Sequence, residues 1–413
     1  MNAPLSAQPE HGAPALLPGS AAFAELLSGI ASLPADSGRE TRGPHDAIDL
    51  VRRKRFGAFR VPTAEGGSGA SLRQFYTALI ALAAVNPDVP HILRAHFWFV
   101  EERLRTPDPV VRQRWLQRIV NGEIFGNAMS EIGGGAAVGS WAFQTTLTPE
   151  GDGYRLNGAK YYCTGTLFSD WTNVFAVLPS GDIASACIPI HREGVTLADD
   201  WDGIGQPYTG SGSARFENVW VNAEELLLSA VDTADVAANT KRGDPYLIGQ
   251  ICQLILTAIT AGILRSVTDD AARLLRDRGR TYSHAAAETP ARDPMLQQVV
   301  GEIASAAFAA EAAVLAAADA QDLAAENAAD FALAHEASVR AAQAKVVVDE
   351  LAQRAATRLF DVGGSSAIKA SNRLDRHWRN VRTLASHNPT VYKARAVGDW
   401  LVNGTELPNS GFF

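Results

Sequence analysis

Two histidines in this 413-residue chain stand where hydrogen-bonding or acid–base chemistry could be done. His387 lies in the run Ala385-Ser386-His387-Asn388-Pro389, which follows an arginine-rich stretch and holds no carboxylate. His96 is flanked by Phe97, Trp98 and Phe99, and His91, five residues earlier, competes with it for any functional place. A neutral imidazole donates at one nitrogen and accepts at the other, and its ordinary pKa puts both charge states within reach near pH 7. The competing readings are a core histidine satisfied by a backbone carbonyl, for His96, and a surface helix cap, for His387. Other polar groups gather in three places. Asn127, Ser130 and Glu131 adjoin Gly133-Gly134-Gly135, where glycine lets a backbone approach a ligand closely. Thr164 and Gly165 follow the β-prone run Lys160–Cys163, with Ser169 close behind. Trp201 and Trp171 are indoles that could wall a pocket or be plain core. Cys163, Cys187 and Cys252 form no CxxC and no metal-ligand pattern, so free thiols and a cytoplasmic protein are expected.

The elements that must position these groups fall into three units. Residues 1–20, rich in Pro, Ala and Gly, read as a mobile leader. A helical unit follows over 21–123, with helices expected at Ser71–Val85, His91–Arg105 and Val110–Asn121. Pro87 stops the first of these. From 124 to 228 short β-prone runs alternate with turns: Trp141–Leu147, Tyr154–Leu156, Lys160–Thr164, Val174–Leu178, Ala184–Pro189 and Ala214–Val219. Turn signals at Gly151-Asp152-Gly153, Asn157-Gly158 and Gly181-Asp182 separate them, which suggests a small barrel or sandwich. Residues 229–413 are strongly helical, with segments at 246–278, 293–325, 329–360 and 366–385 forming a four-helix bundle. The uncharged stretch Tyr246–Leu264 carries Gln250, Gln253, Thr257 and Thr260, which favours a buried bundle helix over a membrane span.

A formal charge of -8, with no basic cluster, argues against nucleic acid and against an anionic membrane surface. No G-x-G-x-x-G follows a strand, so nicotinamide binding is not expected.

The order helical, β, helical bundle is that of the acyl-CoA dehydrogenase superfamily, an α+β, mainly α fold. Several runs carry the likeness: Ile124–Ser140, Leu156–Trp171 ("LNGAKYYCTGTLFSDW"), Asp202–Val221 and Asp361–Pro389. Common acyl-CoA dehydrogenases place a glutamate base after the arginine-rich helix, whereas this chain has "SHNP". With "YCTG" and "DRHWRN", that ending resembles the dibenzothiophene and sulfone monooxygenase group.

The resemblance implies a two-component monooxygenase that takes reduced FMN from a separate NAD(P)H-flavin reductase. It would form a C4a-(hydro)peroxyflavin with O2 and oxygenate a small apolar organosulfur compound. FMN is expected over FAD. The alternatives are an N-hydroxylating monooxygenase of the same fold, an acyl-CoA dehydrogenase with an unusual base, and a non-catalytic flavin-binding member. His387 and His96 are the implied catalytic pair, with Thr164 beside them. Flavin contacts are implied for Asn127, Ser130, Thr164, Gly165, Ser169 and Trp201. For the cofactor phosphate the resemblance points to Arg280, Tyr282 and Ser283, with Gly363, Gly364 and Lys369 closing from a neighbouring subunit and Lys393 as a further candidate. No metal is expected. A homotetramer built through the bundles follows from the same likeness.

Overall fold

The computed structural model describes residues 16–33, 43–132, 143–228, 243–327, 330–408 and 413. Most of the expected leader, the triple glycine after Glu131 and the start of the expected strand at Trp141 lie outside the described residues.

The N-terminal helices are α1 (Ala21–Ala31), α2 (Gly43–Arg53), α3 (Leu72–Val85), α4 (Asp88–Ile92), α5 (Arg94–Leu104) and α6 (Pro109–Val120). Ser71 and Gln74 close a reciprocal capping box that starts α3, and Pro87 bars its continuation. Asp108 caps α6, with Pro109 in the first turn where no amide hydrogen is needed. The stretch expected as one helix from His91 onward is broken at Leu93 into α4 and α5.

The strands are β1 (Phe125–Ala128), β2 (Thr146–Glu150), β3 (Gly153–Lys160), β4 (Trp171–Val177), β5 (Ile183–Pro189), β6 (Val195–Leu197), β7 (Ala214–Asn222) and β8 (Leu226–Leu228). They form one sheet in the order β6-β7-β3-β2-β4-β5-β8, with β1 running parallel to β4. Asn157-Gly158, expected as a turn, lies inside β3 at a register shift against β7. A residue with unusual backbone freedom marks a bulge as readily as a hairpin. The run Lys160–Thr164, expected as a strand, leaves the sheet after Lys160 and becomes a loop.

The C-terminal helices are α7 (Gly243–Asp277), α8 (Pro294–Glu326), α9 (Phe331–Gly363), α10 (Asp375–Ser386) and α11 (Thr390–Asn403). The apolar α7 is a buried bundle helix, packed through Leu254, Ile255, Ile259 and Ile263 against α3 and its neighbours. Tyr76 of α3 donates to Ile251 O at 3.0 Å and meets Gln321 of α8 at 2.8 Å, tying the N-terminal helices to the bundle. The fourth expected segment starts later than the sequence suggested, at Asp375, because two short 3-10 turns at Gly364–Ser366 and Ala370–Asn372 precede it.

Candidate functional site

Where α4 and α5 meet α7, α10 and the sheet's connecting loops, the described residues enclose a cavity of about 710 Å³. Its walls carry His91, Arg94, Ala95 and Trp98 from α4 and α5, and His387 with Thr383 from α10 and its end. Asn127 and Ser130 enter from β1 and the residues after it, Tyr162 and Thr164 from the loop after β3, and Trp201 and Ser211 from the segment before β7. No carboxylate lines it among the described residues.

Local structure explains this convergence. Gly165 has a φ of +82°, and a Cβ there would lie 2.2 Å from Ile92 O. That close approach seats the Thr164 loop directly on α4, beside His91. Asn127 is fixed by an exchange with Thr166, whose hydroxyl accepts from Asn127 N and reaches Asn127 O, both at 3.1 Å. Glu131 accepts from Thr145 N at 3.0 Å, from Gln144 N at 2.6 Å and from Lys160 Nζ at 2.7 Å. It therefore ties the end of β1 to Gln144, Thr145 and Lys160 and does not itself line the cavity. Lys160 is fully buried, so this ion pair is held in a setting where loss of one partner would strand the other charge.

Both cavity histidines have a lowered pKa, which favours the neutral ring. Burial pushes His91 down to about 4, and its Nδ1 lies 2.8 Å from Gln206 Oε1. With the amide oriented so, Nδ1 carries the proton and Nε2 keeps its lone pair. His387 is also pushed well below the ordinary imidazole range, first by burial and then by the Arg94 charge. Its side chain is exposed to the open cavity, and the charges of Lys345 and Lys393 act in the same direction as Arg94. Arg94 Nη1 stands 3.4 Å from His387 Nε2 and can only donate, so the histidine's proton resides on Nδ1. Arg94 is itself tied to α7 through Cys252 O at 3.2 Å.

His96 is elsewhere. It is fully buried, its Nε2 meets Gly57 O at 2.9 Å, and its Nδ1 accepts from Phe125 N at 3.2 Å. Burial holds it at about 4. The expectation that His96 is catalytic is corrected: both ring nitrogens are used by backbone, and it joins the core that carries Phe97 and Phe125. His91 takes the place expected of it.

The remaining expectations divide. Asn127, Ser130, Thr164 and Trp201 line the cavity with His387. Ser169 does not: its hydroxyl donates to Thr166 O at 2.8 Å inside a buried turn. Gly165 serves by its backbone, donating to Thr209 O at 3.0 Å. Trp171 packs with Trp115 and Phe125 in the core. Lys393 is 2% exposed, with Nζ 3.6 Å from the Phe413 ring centre, and burial lowers it to about 7. Sealed among α9, α11 and the C-terminus, it has no access to a phosphate in this cavity, which corrects that expectation. Arg280, Tyr282, Ser283, Gly363, Gly364 and Lys369 do not line the cavity either. Their two segments do meet each other: a Cβ on Gly364 would fall 2.1 Å from Tyr282 Oη, and Arg278 covers the Tyr282 ring at 4.7 Å.

Sequence reasoning missed Arg94, Trp98, Tyr162, Gln206 and Thr383. A signal existed for the first two, because His91, Arg94, Ala95 and Trp98 recur at intervals of three, one and three along the chain, the spacing of one helical face. His96 falls off that face.

A planar, polar-edged ring fits this donor set. Trp98, Tyr162 and Trp201 supply flat apolar surface, and Trp201 and Tyr162 stand edge to face at 6.0 Å. Asn127, Ser130 and Thr164 supply polar contacts, and Thr383 Oγ1 is buried without a protein partner. An orphaned hydroxyl on a cavity wall is a position that a ligand atom completes.

Residues 254–392 match the family described as acyl-CoA dehydrogenase, C-terminal domain. The chain is 31% identical over 368 residues to a dibenzothiophene monooxygenase of Mycolicibacterium goodii, covering 85% of each protein. It is 30% identical to a probable FMNH2-dependent monooxygenase, SfnC, of Pseudomonas putida, over 98% of each. Its fold superposes on the FMN-bound crystal structure of TdsC from Paenibacillus sp. A11-2 with a TM-score of 0.86, at 30% identity, covering 95% of this chain and 99% of the other.

Proposed function

The chain belongs to the dibenzothiophene monooxygenase family on the acyl-CoA dehydrogenase fold, and from that premise we propose how its cavity works as the site of a reduced-FMN-dependent monooxygenase acting on organosulfur compounds. The observation that carries this reading is a cavity whose described walls hold two histidines, His91 and His387, and no carboxylate. An acyl thioester dehydrogenase needs a strong base at the ring to remove an α-proton. This cavity offers hydrogen-bond donors and acceptors in an apolar enclosure instead.

FMN, when bound, supplies the electrons that activate dioxygen. The chain's residues do the rest. Trp98 and Trp201 would shield the reacting volume from water, which suppresses wasteful breakdown to hydrogen peroxide. Asn127, Ser130 and Thr164 orient the ring edge. His387, with its proton on Nδ1, and His91, with a free Nε2, supply a matched donor and acceptor for moving one proton during oxygen transfer. After burial, the Arg94 charge adds most to lowering the His387 pKa. The exposed Tyr162 and Ile204, 65% and 58% accessible, form an apolar rim suited to a small uncharged sulfide, sulfoxide, sulfone or thiophene.

Reduced FMN would come from a separate NAD(P)H-flavin reductase by diffusion. We further propose a cytoplasmic homotetramer. The support is apolar surface on the bundle, with Phe308 at 78% and Met295 at 64% exposed on α8. In that assembly the Arg280–Ser283 and Gly363–Lys369 segments, which meet away from their own cavity, would reach the cofactor phosphate of a neighbour.

The test combines purified chain, a flavin reductase, NADH, FMN and oxygen with dibenzothiophene, dialkyl sulfides and dialkyl sulfones. Substrate-dependent oxygen uptake with an oxygenated product is expected. Oxygen uptake that yields only hydrogen peroxide across the whole panel would overturn the reading.

A further inference from the structure

The cavity carries cations that nothing on its described walls balances. Arg94 and Arg382 both line it, and no carboxylate does among the described residues. Arg94 is half-buried at the start of α5. Its Nε donates to Cys252 O at 3.2 Å and its Nη1 stands 3.4 Å from His387 Nε2, so neither partner offsets its charge. Arg382, exposed on α10, donates to the neutral amide oxygen of Gln353 at 3.2 Å. Neither guanidinium is ion-paired with a described carboxylate. Elsewhere the partly buried guanidinium groups of Arg60 and Arg192 are each paired with a glutamate, Glu101 and Glu225. The groups whose charge bears on His387 are Arg94 of α5, His91 of α4, Lys345 of α9 and Lys393 of α11, all cationic when charged. Of these, Lys345 has a carboxylate partner, Asp349, at 2.8 Å. A partly desolvated guanidinium with no counter-ion favours an anion over a neutral compound. In the assembly proposed above, the cofactor phosphate is met by segments outside this cavity, which leaves these two cations for another anion.

We infer that Arg94 is a specificity-determining residue: with Arg382 nearer solvent, it lets the cavity also take organosulfur acids, and hold them more tightly than uncharged compounds of the same shape. The inference rests on the reading of the cavity as an oxygenase site. Ala95, Trp98 and the exposed Ile204 give surface for the carbon part of such an acid. Arg94 and Trp98 are one helical turn apart, which sets about 5–6 Å between their Cβ atoms. An acid spanning them is therefore short, with its anionic group close to the sulfur. Because Arg94 also touches His387, that group sits beside the residue that handles the proton. The oxygenation itself is unchanged: sulfur gains one atom of dioxygen, the other leaves as water, and reduced FMN supplies two electrons and two protons.

The experiment measures kcat/KM for oxygenated product, with the chain, a flavin reductase, NADH, FMN and oxygen, on pairs matched in shape and differing in charge. (Methylthio)acetate is set against (methylthio)acetamide, where the charge stands apart from the sulfur. Methanesulfinate is set against dimethyl sulfoxide, where the sulfur group itself bears the charge. The acid should be favoured about tenfold or more in at least one pair, the worth of one charge-assisted hydrogen bond. The pair that shows it tells where the anion is carried. Added salt should erode the advantage of the acid and leave its neutral partner unchanged. Arg94→Gln should bring the ratio close to one, and Arg94→Lys, which keeps the charge, should restore a preference for the acid. Each ratio is internal to one protein, so a general loss of activity cancels. Should Arg94→Gln fail to fold, the wild-type ratios and their salt dependence still decide. Ratios near one in both wild-type pairs, or a preference unmoved in Arg94→Gln, overturn the inference. Hydrogen peroxide alone from these four compounds, while a neutral thiophene or dialkyl sulfide is oxygenated, also overturns it and leaves the oxygenase reading intact. Hydrogen peroxide alone from every compound overturns that reading, and the inference with it.

Discussion

Replacing His96 by leucine separates a structural histidine from a chemical one. The imidazole bridges Gly57 O and Phe125 N inside the core, at 2.9 and 3.2 Å. Leucine fills similar space but leaves a buried carbonyl and a buried N–H unpaired. At about 1–3 kcal/mol for each stranded group, His96→Leu should destabilise the fold by about 2–6 kcal/mol. The pH dependence gives an independent handle. His96 sits at about 4 in the folded chain and near 6.5 when unfolded, so the unfolded chain binds a proton that the folded chain refuses. Stability from this group is present above about pH 6.5 and is lost as pH falls toward 4, a loss of about 3 kcal/mol at about 1.4 kcal/mol per unit. The leucine variant should lack that part of the slope. Urea titrations followed by tryptophan fluorescence at pH 7 and pH 5 measure both quantities. Product formed per folded molecule should change little. A variant as stable as wild type that has lost all oxygenation would refute the reasoning and return His96 to the chemistry.

Other perturbations address the cavity and its supports. Arg94→Met removes the charge that, after burial, most depresses His387, so the acid limb of the rate–pH profile should move to higher pH. An acid limb that stays put would show that Arg94 does not tune this histidine. Glu131→Ala strands the buried Lys160 ammonium and should cost about 3–5 kcal/mol in urea denaturation, with loss of less than 1 kcal/mol contradicting the tether. Gly203→Ala places a Cβ 1.9 Å from the Trp201 ring and forces the indole off the cavity wall. FMN affinity, read by fluorescence quenching, should fall by about 1–3 kcal/mol.

Much of this architecture was legible because the chain states it locally. The expected helix from Ser71 to Val85, stopped by Pro87, is the α3 of the fold, where Ser71 and Gln74 add a capping box at its start. The reading of α7 as a bundle helix rests on its interrupting Gln and Thr residues, and Gln250 does donate to Phe413 O at 2.9 Å. His387 was recoverable because a histidine replaces an expected carboxylate. The assignment of His96 failed for a physical reason: aromatic neighbours mark burial as strongly as they mark a pocket, and the relevant face runs through His91, Arg94 and Trp98. Lys393 failed similarly, since a lysine buried against Phe413 looks in sequence like any solvated cation. Gln206 could not be found at all, because its importance lies in a 2.8 Å contact with His91 across 115 residues of chain, a distance the sequence does not contain.

The central claim is that this cavity transfers one atom of dioxygen to sulfur while His387 and His91 manage the proton. The direct measurement is a single turnover: chain and reduced FMN are mixed anaerobically, then exposed to oxygen-18 dioxygen with an organosulfur substrate, and the product is weighed by mass spectrometry. One labelled oxygen per product is expected from the wild-type chain, with His387→Ala releasing hydrogen peroxide instead. Label arriving from water, or full product formation by the His387→Ala variant, would contradict the account.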